Sequence, residues 1–195
     1  MANTTRQRMV EGAARLLAKR GLAETSFSEV LELTGTPRGS IYHHFPEGKD
    51  QLVASAVDLA GAHAIEVIER ARGSSAENVT RHFLSLWREV LARSDFQSGC
   101  SVLAVTVATD SPDLLAHAAT VFRSWRRRLA ELLQEGGLAE QDAARFAAML
   151  IAASEGAVVL GRAERTMEAF DLVSEQLVAQ VTALAAAGLS SSDRS

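Results

Sequence analysis

This chain of 195 residues has a single cysteine and a net charge of only −4, and each of these low values excludes a class of protein. The single cysteine, Cys100, rules out an internal disulfide and any zinc site built from several cysteines. With 20 Lys and Arg against 24 Asp and Glu, the chain lacks the strong positive charge of a protein that coats nucleic acid non-specifically. Because 47% of the residues are hydrophobic, the chain is not intrinsically disordered.

Long apolar runs and catalytic motifs are also missing. No uninterrupted apolar run reaches the roughly 18 residues of a membrane span, and residues 146–161 are interrupted by Ser154 and Glu155. There is no Gly-x-Ser-x-Gly elbow, P-loop, Gly-x-Gly-x-x-Gly or His-Glu-x-x-His motif, and the histidines lack metal-ligand spacing. We therefore expect a cytoplasmic protein without a membrane segment, which is not an enzyme and holds neither a cofactor nor a metal.

Apolar residues recur at helical spacing along nearly the whole chain, and only three prolines interrupt it. This pattern predicts an all-α fold of about nine helices. We expect three regions, which are residues 1–48, residues 49–187 and a disordered tail at 188–195. The predicted helices cover about 5–20, 27–34, 37–44, 48–72, 76–93, a short piece after 99, 112–135, 139–163 and 168–187.

Residues 26–45 have the pattern of a helix-turn-helix, in which the second helix enters the major groove of DNA. Ser26 and Glu29 form a capping box before the first helix, and Gly35 ends that helix. Thr36 and Pro37 are predicted to start the second helix at once, as its N-cap and its first residue.

The polar residues of this segment are suited to DNA. The guanidinium of Arg38 can bind a guanine edge or a phosphate with two hydrogen bonds, and Gly39 lets a helix approach DNA closely. Lys49 adds a positive charge at the start of the next helix. The candidate DNA-binding residues are Ser26, Thr36, Arg38, Gly39, Ser40, Tyr42, His43 and Lys49.

Residues 26–52 resemble the DNA-binding signature of the TetR family of bacterial transcriptional regulators. The resemblance covers residues 1 to about 60, and it is carried by the run from Gly39 to Phe45, followed by Lys49 and Leu52. The chain is also similar to the LmrA/YxaF-like subgroup at a few short motifs. These motifs are residues 46–49, 99–100, 155–157 and 162–163.

The resemblance implies a homodimeric, cytoplasmic repressor that binds a palindromic double-stranded operator and is released by a small molecule. It makes residues 1–48 the DNA-binding domain and residues 49–187 the effector-binding and dimerisation domain. It assigns phosphate contacts to Tyr42, His43 and Lys49. It assigns base contacts to Thr36, Arg38, Gly39 and Ser40. The competing interpretation is a helical small-molecule-binding or adaptor protein whose DNA-binding head is vestigial.

The C-terminal half offers two further predictions. Residues 139–163 are apolar or small nearly all round, so this helix and the helix at 168–187 are predicted to form the dimer interface. Large aromatic side chains are few, and they concentrate on two helices within residues 49–187. This favours an apolar effector pocket there, although core packing explains each one singly. The candidate effector residues are Phe83, Trp87, Phe122, Trp125 and Met149.

Three other features of this half have open alternatives. Cys100 is either a small buried residue or a redox sensor. Glu155 is either ion-paired, across the dimer or with Arg162, or it lines a pocket. The arginines at 123–128 are interpreted as a solvated helix face rather than a binding surface.

Overall fold

The computed structural model describes residues 4–192, and within that range the chain forms nine helices and no strand. The prediction of an all-α fold with about nine helices is confirmed. The helices are α1 (Thr5–Arg20), α2 (Phe27–Thr34), α3 (Arg38–His44), α4 (Lys49–Glu69), α5 (Ala76–Arg93), α6 (Ser101–Ala108), α7 (Pro112–Glu135), α8 (Glu140–Glu164) and α9 (Glu168–Ser192).

The chain divides into two compact units, and two of the three boundaries between them fall inside helices. The first unit comprises the residues up to 63 together with 100–122, and the second comprises 64–99 and the residues from 123 onward. Two boundaries therefore lie within α4 and within α7, and the third lies in the loop between α5 and α6. The functional division at residue 48 stays a prediction.

In the first unit, α1 packs against α2, α3 and α6. The core side of α1 carries Met9, Ala13 and Leu17, all of which are fully buried. At Gly12 the backbone of α1 comes so close to α2 that an added Cβ would lie 2.5 Å from Cγ2 of Thr34. A glycine is therefore needed where α1 crosses the helix-turn-helix.

In the second unit, α5, α8 and α9 pack against one another. Phe83 of α5, Phe146 of α8 and Phe170 of α9 are all buried, with only 1% of each exposed. The loop after α7 is fixed to the start of α5, because the amide of Ala76 donates to the carbonyl of Gly136 at 3.0 Å. This unit thus has an aromatic core of its own.

Two helix ends differ from the prediction. Helix α4 ends at Glu69 rather than at 72, because the amides of residues 70–72 donate to carbonyls three residues back and tighten the chain into turns. Helix α9 continues to Ser192, although a disordered tail was predicted from residue 188. Residues 193–195 of that predicted tail lie outside the described residues.

The expectation of no span-length apolar segment needs a correction for two helices. By length and composition alone, Lys49–Glu69 and Glu140–Glu164 are apolar enough to cross a membrane. Both are rich in alanine, which raises mean hydropathy without forming the unbroken run that was sought in the sequence. Helix α8 buries Phe146, Leu150 and Val158 inside the second unit, as a core helix does.

Candidate DNA-binding site

Local hydrogen bonds form the turn between α2 and α3. The side chain of Ser26 accepts from the amide of Glu29 at 3.2 Å, as the predicted N-cap does. The carboxylate of Glu29, in contrast, accepts from Arg20 at 2.7 Å. Gly35 ends α2 in the left-handed conformation, with φ of 61°, which places the start of α3 at an angle to α2.

Apolar side chains on the inner side of α2 and α3 hold this pair of helices in the first unit. Val30, Ile41 and Phe45 are all at most 1% exposed. The guanidinium of Arg6 in α1 lies 5.2 Å from the centre of the Phe45 ring, and it also donates to the hydroxyl of Ser55 in α4 at 3.0 Å. The packing of these buried side chains therefore fixes the position of α3 within the first unit.

The outer side of α3 presents polar groups to solvent. Arg38, Gly39, Tyr42 and His43 are all exposed, and Tyr42 is 71% exposed although it is a large aromatic residue. Among the described residues, the guanidinium of Arg38 has neither a hydrogen bond nor an ion pair. A Cβ built on Gly39 would meet no atom within 4 Å. This face can thus receive a large partner without rearranging the helix.

Tyr42 is oriented by a contact that the sequence prediction missed. Its ring meets the ring of Phe27 edge-on, with the ring centres 5.9 Å apart. Phe27 is the first residue of α2, so the contact joins the two helices at their outer edge. The spacing of two aromatic residues on either side of a predicted turn was a signal that could have revealed it.

Of the other predicted residues, Thr36 is buried, whereas Ser26 and Ser40 are half-exposed with hydroxyls that already make contacts within the protein. Thr36 is only 6% exposed and its hydroxyl is 2.7 Å from that of Thr34, so it belongs to the packed turn. It is also not the N-cap of α3, because Pro37 occupies the cap position without a side-chain hydrogen bond. The hydroxyl of Ser40 donates to the carbonyl of Pro37 at 2.6 Å, and Ser26 is engaged at the start of α2.

Lys49 lies at the start of α4 and is partly buried. Its ammonium group donates to the backbone carbonyl of Leu22 at 3.0 Å, across 27 positions of sequence. This bond ties the turn after α1 to α4, while an ammonium group has two further protons to donate. Lys49 can therefore hold the helix-turn-helix in position and still bind a phosphate.

The candidate effector residues lie mostly in the second unit. Phe83, Trp87 and Trp125 are buried there, Met149 is half-buried, and Phe122 is a half-buried residue of the first unit. The indole N–H of Trp87 is buried and has no acceptor among the described atoms. A cavity of about 340 Å³ in the second unit is lined by α5 and α9, but by none of these five residues.

One arginine of the 123–128 cluster is not part of a solvated face. Arg128 is 14% exposed, it donates to both carboxylate oxygens of Glu69, and it pairs with Glu131 at 2.7 Å. Hydrogen bonds from Arg128, and then from Arg72, lower the pKa of Glu69 from 4.5 to about 2. The sequence placed these groups 59 positions apart, so only the fold shows that α7 holds the end of α4 here.

The remaining titratable groups do not suggest a metal centre. Among residues 4–192, no three His, Cys, Asp or Glu side chains lie close enough to bind an ion. Cys100 is buried at the N-terminus of α6, where its sulfur accepts from the amide of Leu103 at 3.3 Å. Arg162 donates to the carbonyl of Gln97 at 3.2 Å.

Comparison with known families matches both halves of the chain. Residues 9–56 match "Bacterial regulatory proteins, tetR family". Residues 76–176 match "Transcriptional regulator LmrA/YxaF-like, C-terminal domain". The two matches correspond to the helix-turn-helix and to the helices that follow α4.

Individual relatives agree with these matches. The HTH-type transcriptional regulator Rv0196 of Mycobacterium tuberculosis is 37% identical over 179 residues, which are 88% of this chain and 91% of the relative. The regulator YxaF of Bacillus subtilis is 27% identical over 177 residues, covering 89% of this chain and 93% of YxaF. A TetR-family regulator from Cytophaga hutchinsonii has a TM-score of 0.74 at 28% identity, with 92% and 94% of the two chains covered.

The fold is also shared with a more distant structure. A regulatory protein TetR from Rhodobacter sphaeroides has a TM-score of 0.79 at 24% identity, with 88% of this chain and 96% of that chain covered. The relatives are regulators of transcription, so the prediction that the chain is not an enzyme is confirmed. The chain belongs to the TetR family of bacterial helix-turn-helix transcriptional regulators, with a C-terminal domain of the LmrA/YxaF-like type.

Proposed function

We propose that this regulator is a cytoplasmic repressor that binds a palindromic operator as a homodimer and leaves it when a small apolar or aromatic effector binds. The observation that carries the proposal is the outer face of α3, where exposed polar groups stand on a fully packed core. Arg38 supplies a free guanidinium beside a glycine that allows close approach. This combination suits base reading in a major groove.

The contacts divide into two classes on this proposal. Arg38 and Gly39 contact base edges, whereas Tyr42, His43 and Lys49 contact phosphates. Thr36 and Ser40 act through the conformation of the turn, because their hydroxyls are engaged within the protein. Few phosphate contacts per subunit fit residues 1–50, which hold 7 Lys and Arg against 6 Asp and Glu.

A second copy of the chain is the proposed partner of the last two helices, and α8 carries the clearest face for it. On the side of α8 that faces away from the core of its unit, Val159 is 51% and Leu160 is 46% exposed. Gly156, on the same side, would place a Cβ in open space, so another helix can approach closely there. The small residues that continue this face are Ala148, Ala152 and Ala163.

The effector is proposed to bind among the aromatic side chains of the second unit. The buried N–H of Trp87 supports this, because a buried donor without an acceptor is costly and a ligand oxygen would relieve that cost. An effector shifts the protein between states only by its difference in affinity for them. Tenfold release from the operator requires a difference of about 1.4 kcal/mol.

Binding to DNA from beside the protein's own coding sequence tests the proposal. Fluorescence anisotropy over a salt series should show saturable binding to one fragment, with much weaker binding to a scrambled fragment of equal length. Equal, weak binding to both fragments that disappears with salt would favour a helical ligand-binding or adaptor protein with a vestigial head.

A charge placed in the α8 face tests the dimer. Leu160→Glu should convert the protein to a monomer of 20.8 kDa in sedimentation and weaken operator binding at least roughly 100-fold, because the two half-sites are then bound separately. Val107→Glu is the control, since Val107 is 74% exposed on α6 of the first unit. A dimeric Leu160→Glu protein with unchanged affinity would place the interface elsewhere.

A further inference from the structure

A cavity of about 340 Å³ opens between α5 and α9, inside the second unit. Its apolar lining includes Leu84 of α5 together with Phe170 and Val178 of α9, and the first two are at most 5% exposed. The volume lies at the lower end of the range for small-molecule sites. The cavity can therefore hold a compact apolar group.

Ion pairs of α5 and α9 bound this cavity. On one side Arg88 of α5 pairs with Asp171 of α9. On the other side Arg81 pairs with Glu77 at 2.9 Å, and Glu77 also accepts from the hydroxyl of Thr182 in α9 at 3.1 Å. Hydrogen bonds from Arg81 and Thr182 lower the pKa of Glu77, so this pair is formed at neutral pH. Both arginines of the lining are thus neutralised by protein carboxylates.

The serines of the lining are also engaged. The hydroxyl of Ser85 donates to the carbonyl of His82 at 2.7 Å, and that of Ser174 donates to the carbonyl of Phe170 at 2.7 Å. Each bond lies within its own helix. Neither hydroxyl proton is therefore directed to a ligand.

Among the charged residues of the lining, Glu175 is the one that takes part in none of these ion pairs. It is an exposed residue of α9 at the edge of the cavity, four residues after Asp171, and no hydrogen bond or ion pair engages its side chain among the described residues. The lining therefore combines an apolar floor with one negative charge that the protein leaves uncompensated. A ligand that matches both has an apolar body and a single positive charge.

We propose that the α5–α9 cavity is a binding site for compact hydrophobic cations, such as aryl-alkyl amines, with Glu175 as the group that selects for positive charge. The site is separate from the proposed effector residues, none of which lines it. A regulator with both sites responds to two chemical classes. A ligand in the α5–α9 cavity contacts α9. This helix packs directly against α8, which carries the proposed dimer face.

Three probes with one apolar body and different charges test the site. 4-Phenylbutylamine, 4-phenylbutanol and 4-phenylbutyrate are titrated into the full-length protein, and amide chemical shifts are followed by NMR. We expect saturable shifts in α5 and α9, with the amine binding at least about fivefold more tightly than the alcohol and the acid binding most weakly. Equal binding of the three probes, tighter binding of the acid, or shifts confined to other helices would overturn the proposal.

Two variants and a control separate charge from shape. Glu175→Gln should reduce the affinity for the amine to that for the alcohol. Glu168→Gln is the control, because Glu168 lies on the same helix but outside the lining, and it should leave both affinities unchanged. Val178→Trp should fill the cavity and abolish binding of all three probes. Amine binding that survives Glu175→Gln unchanged would contradict the assignment. Because the titration contains no DNA, its failure leaves operator binding and release untouched.

Discussion

Arg38 and Arg128 are the same residue type on two helices of one protein, and their surroundings differ completely. Arg38 lies on the outer face of α3, exposed and without a partner among the described residues. Arg128 is 14% exposed and contacts Glu69, Glu131 and Glu135. The guanidinium of Arg38 can bind another molecule, whereas that of Arg128 forms ion pairs within the protein.

Lys49 is intermediate between these two. It donates one hydrogen bond, to the carbonyl of Leu22, and keeps further protons for a ligand. From Arg38 through Lys49 to Arg128, the positively charged group therefore makes an increasing number of contacts within the protein. We expect the effect of each on DNA binding to fall along this series, while its effect on stability rises.

Arg38→Ala is expected to have the largest effect on DNA. Loss of a bidentate contact with a base should weaken specific binding by roughly 1–3 kcal/mol, and sequence preference at that position should relax. Thermal stability should not change, because the side chain has no partner in the protein. Anisotropy with the operator and with single-base variants measures both effects.

Two controls sharpen the result for Arg38. Arg38→Lys keeps the charge but not the forked donor, so it should retain non-specific affinity while losing selectivity. Arg126→Ala removes an exposed arginine of α7 and should change neither the non-specific affinity nor the selectivity. If Arg38→Ala weakens binding to all sequences equally, Arg38 contacts a phosphate and not a base.

Much of the local structure could be predicted from residues close together in sequence. The Ser26 cap and the end of α2 at Gly35 follow from local patterns that the structure reproduces. Glu29 was expected to complete a capping box, yet it pairs with Arg20. The sequence pattern shows which groups can interact but not which competing partner is nearer in the fold.

Long-range contacts explain the other differences. Thr36 follows a turn glycine, a position typical of an exposed cap, but its side chain is buried and its hydroxyl lies 2.7 Å from that of Thr34. Arg128 lies in a run of arginines that a helical pattern assigns to solvent, and its partner Glu69 comes from another helix. No periodicity within one helix predicts which of several arginines meets a carboxylate 59 positions away.

Lys49→Ala should have a smaller, less selective effect on DNA than Arg38→Ala. Removal of one phosphate contact should lower affinity less than about tenfold for every sequence and make the slope of log K against log salt shallower by about 1. Loss of the bond to Leu22 should also reduce the free energy of unfolding by about 1 kcal/mol. Salt-series anisotropy and urea denaturation measure the two effects.

The two roles of Lys49 give separable outcomes. Lys49→Arg keeps the charge and should preserve the salt slope. If Lys49→Ala lowers stability with an unchanged salt slope, Lys49 is a positioning residue only. If Lys49→Ala changes the salt slope with no loss of stability, the bond to Leu22 contributes no measurable free energy of unfolding. Lys49 would then not be intermediate between Arg38 and Arg128.

Arg128→Met should have the smallest effect on DNA and a clear effect on stability. The variant leaves the carboxylate of Glu69 without its main partner, and we expect Tm to fall on the order of 5 °C at pH 7. Arg127→Met is the matched control, because its neighbouring guanidinium is 78% exposed and lies 3.9 Å from Glu131. A similar fall in both variants would assign the loss to the helix surface and not to the ion pair.

Acid titration isolates the pair more sharply. The pKa of Glu69 is near 4.5 when unfolded and about 2 when folded, so the unfolded state binds a proton first as the pH falls. The stabilisation by the pair is therefore complete above about pH 4.5 and is lost progressively toward pH 2. Below pH 4.5 the Tm of the wild type should fall more steeply than that of Arg128→Met, and the two curves should converge. Parallel curves would mean that Arg128 does not hold the Glu69 carboxylate in its charged form, and the contrast with Arg38 would then be one of packing alone.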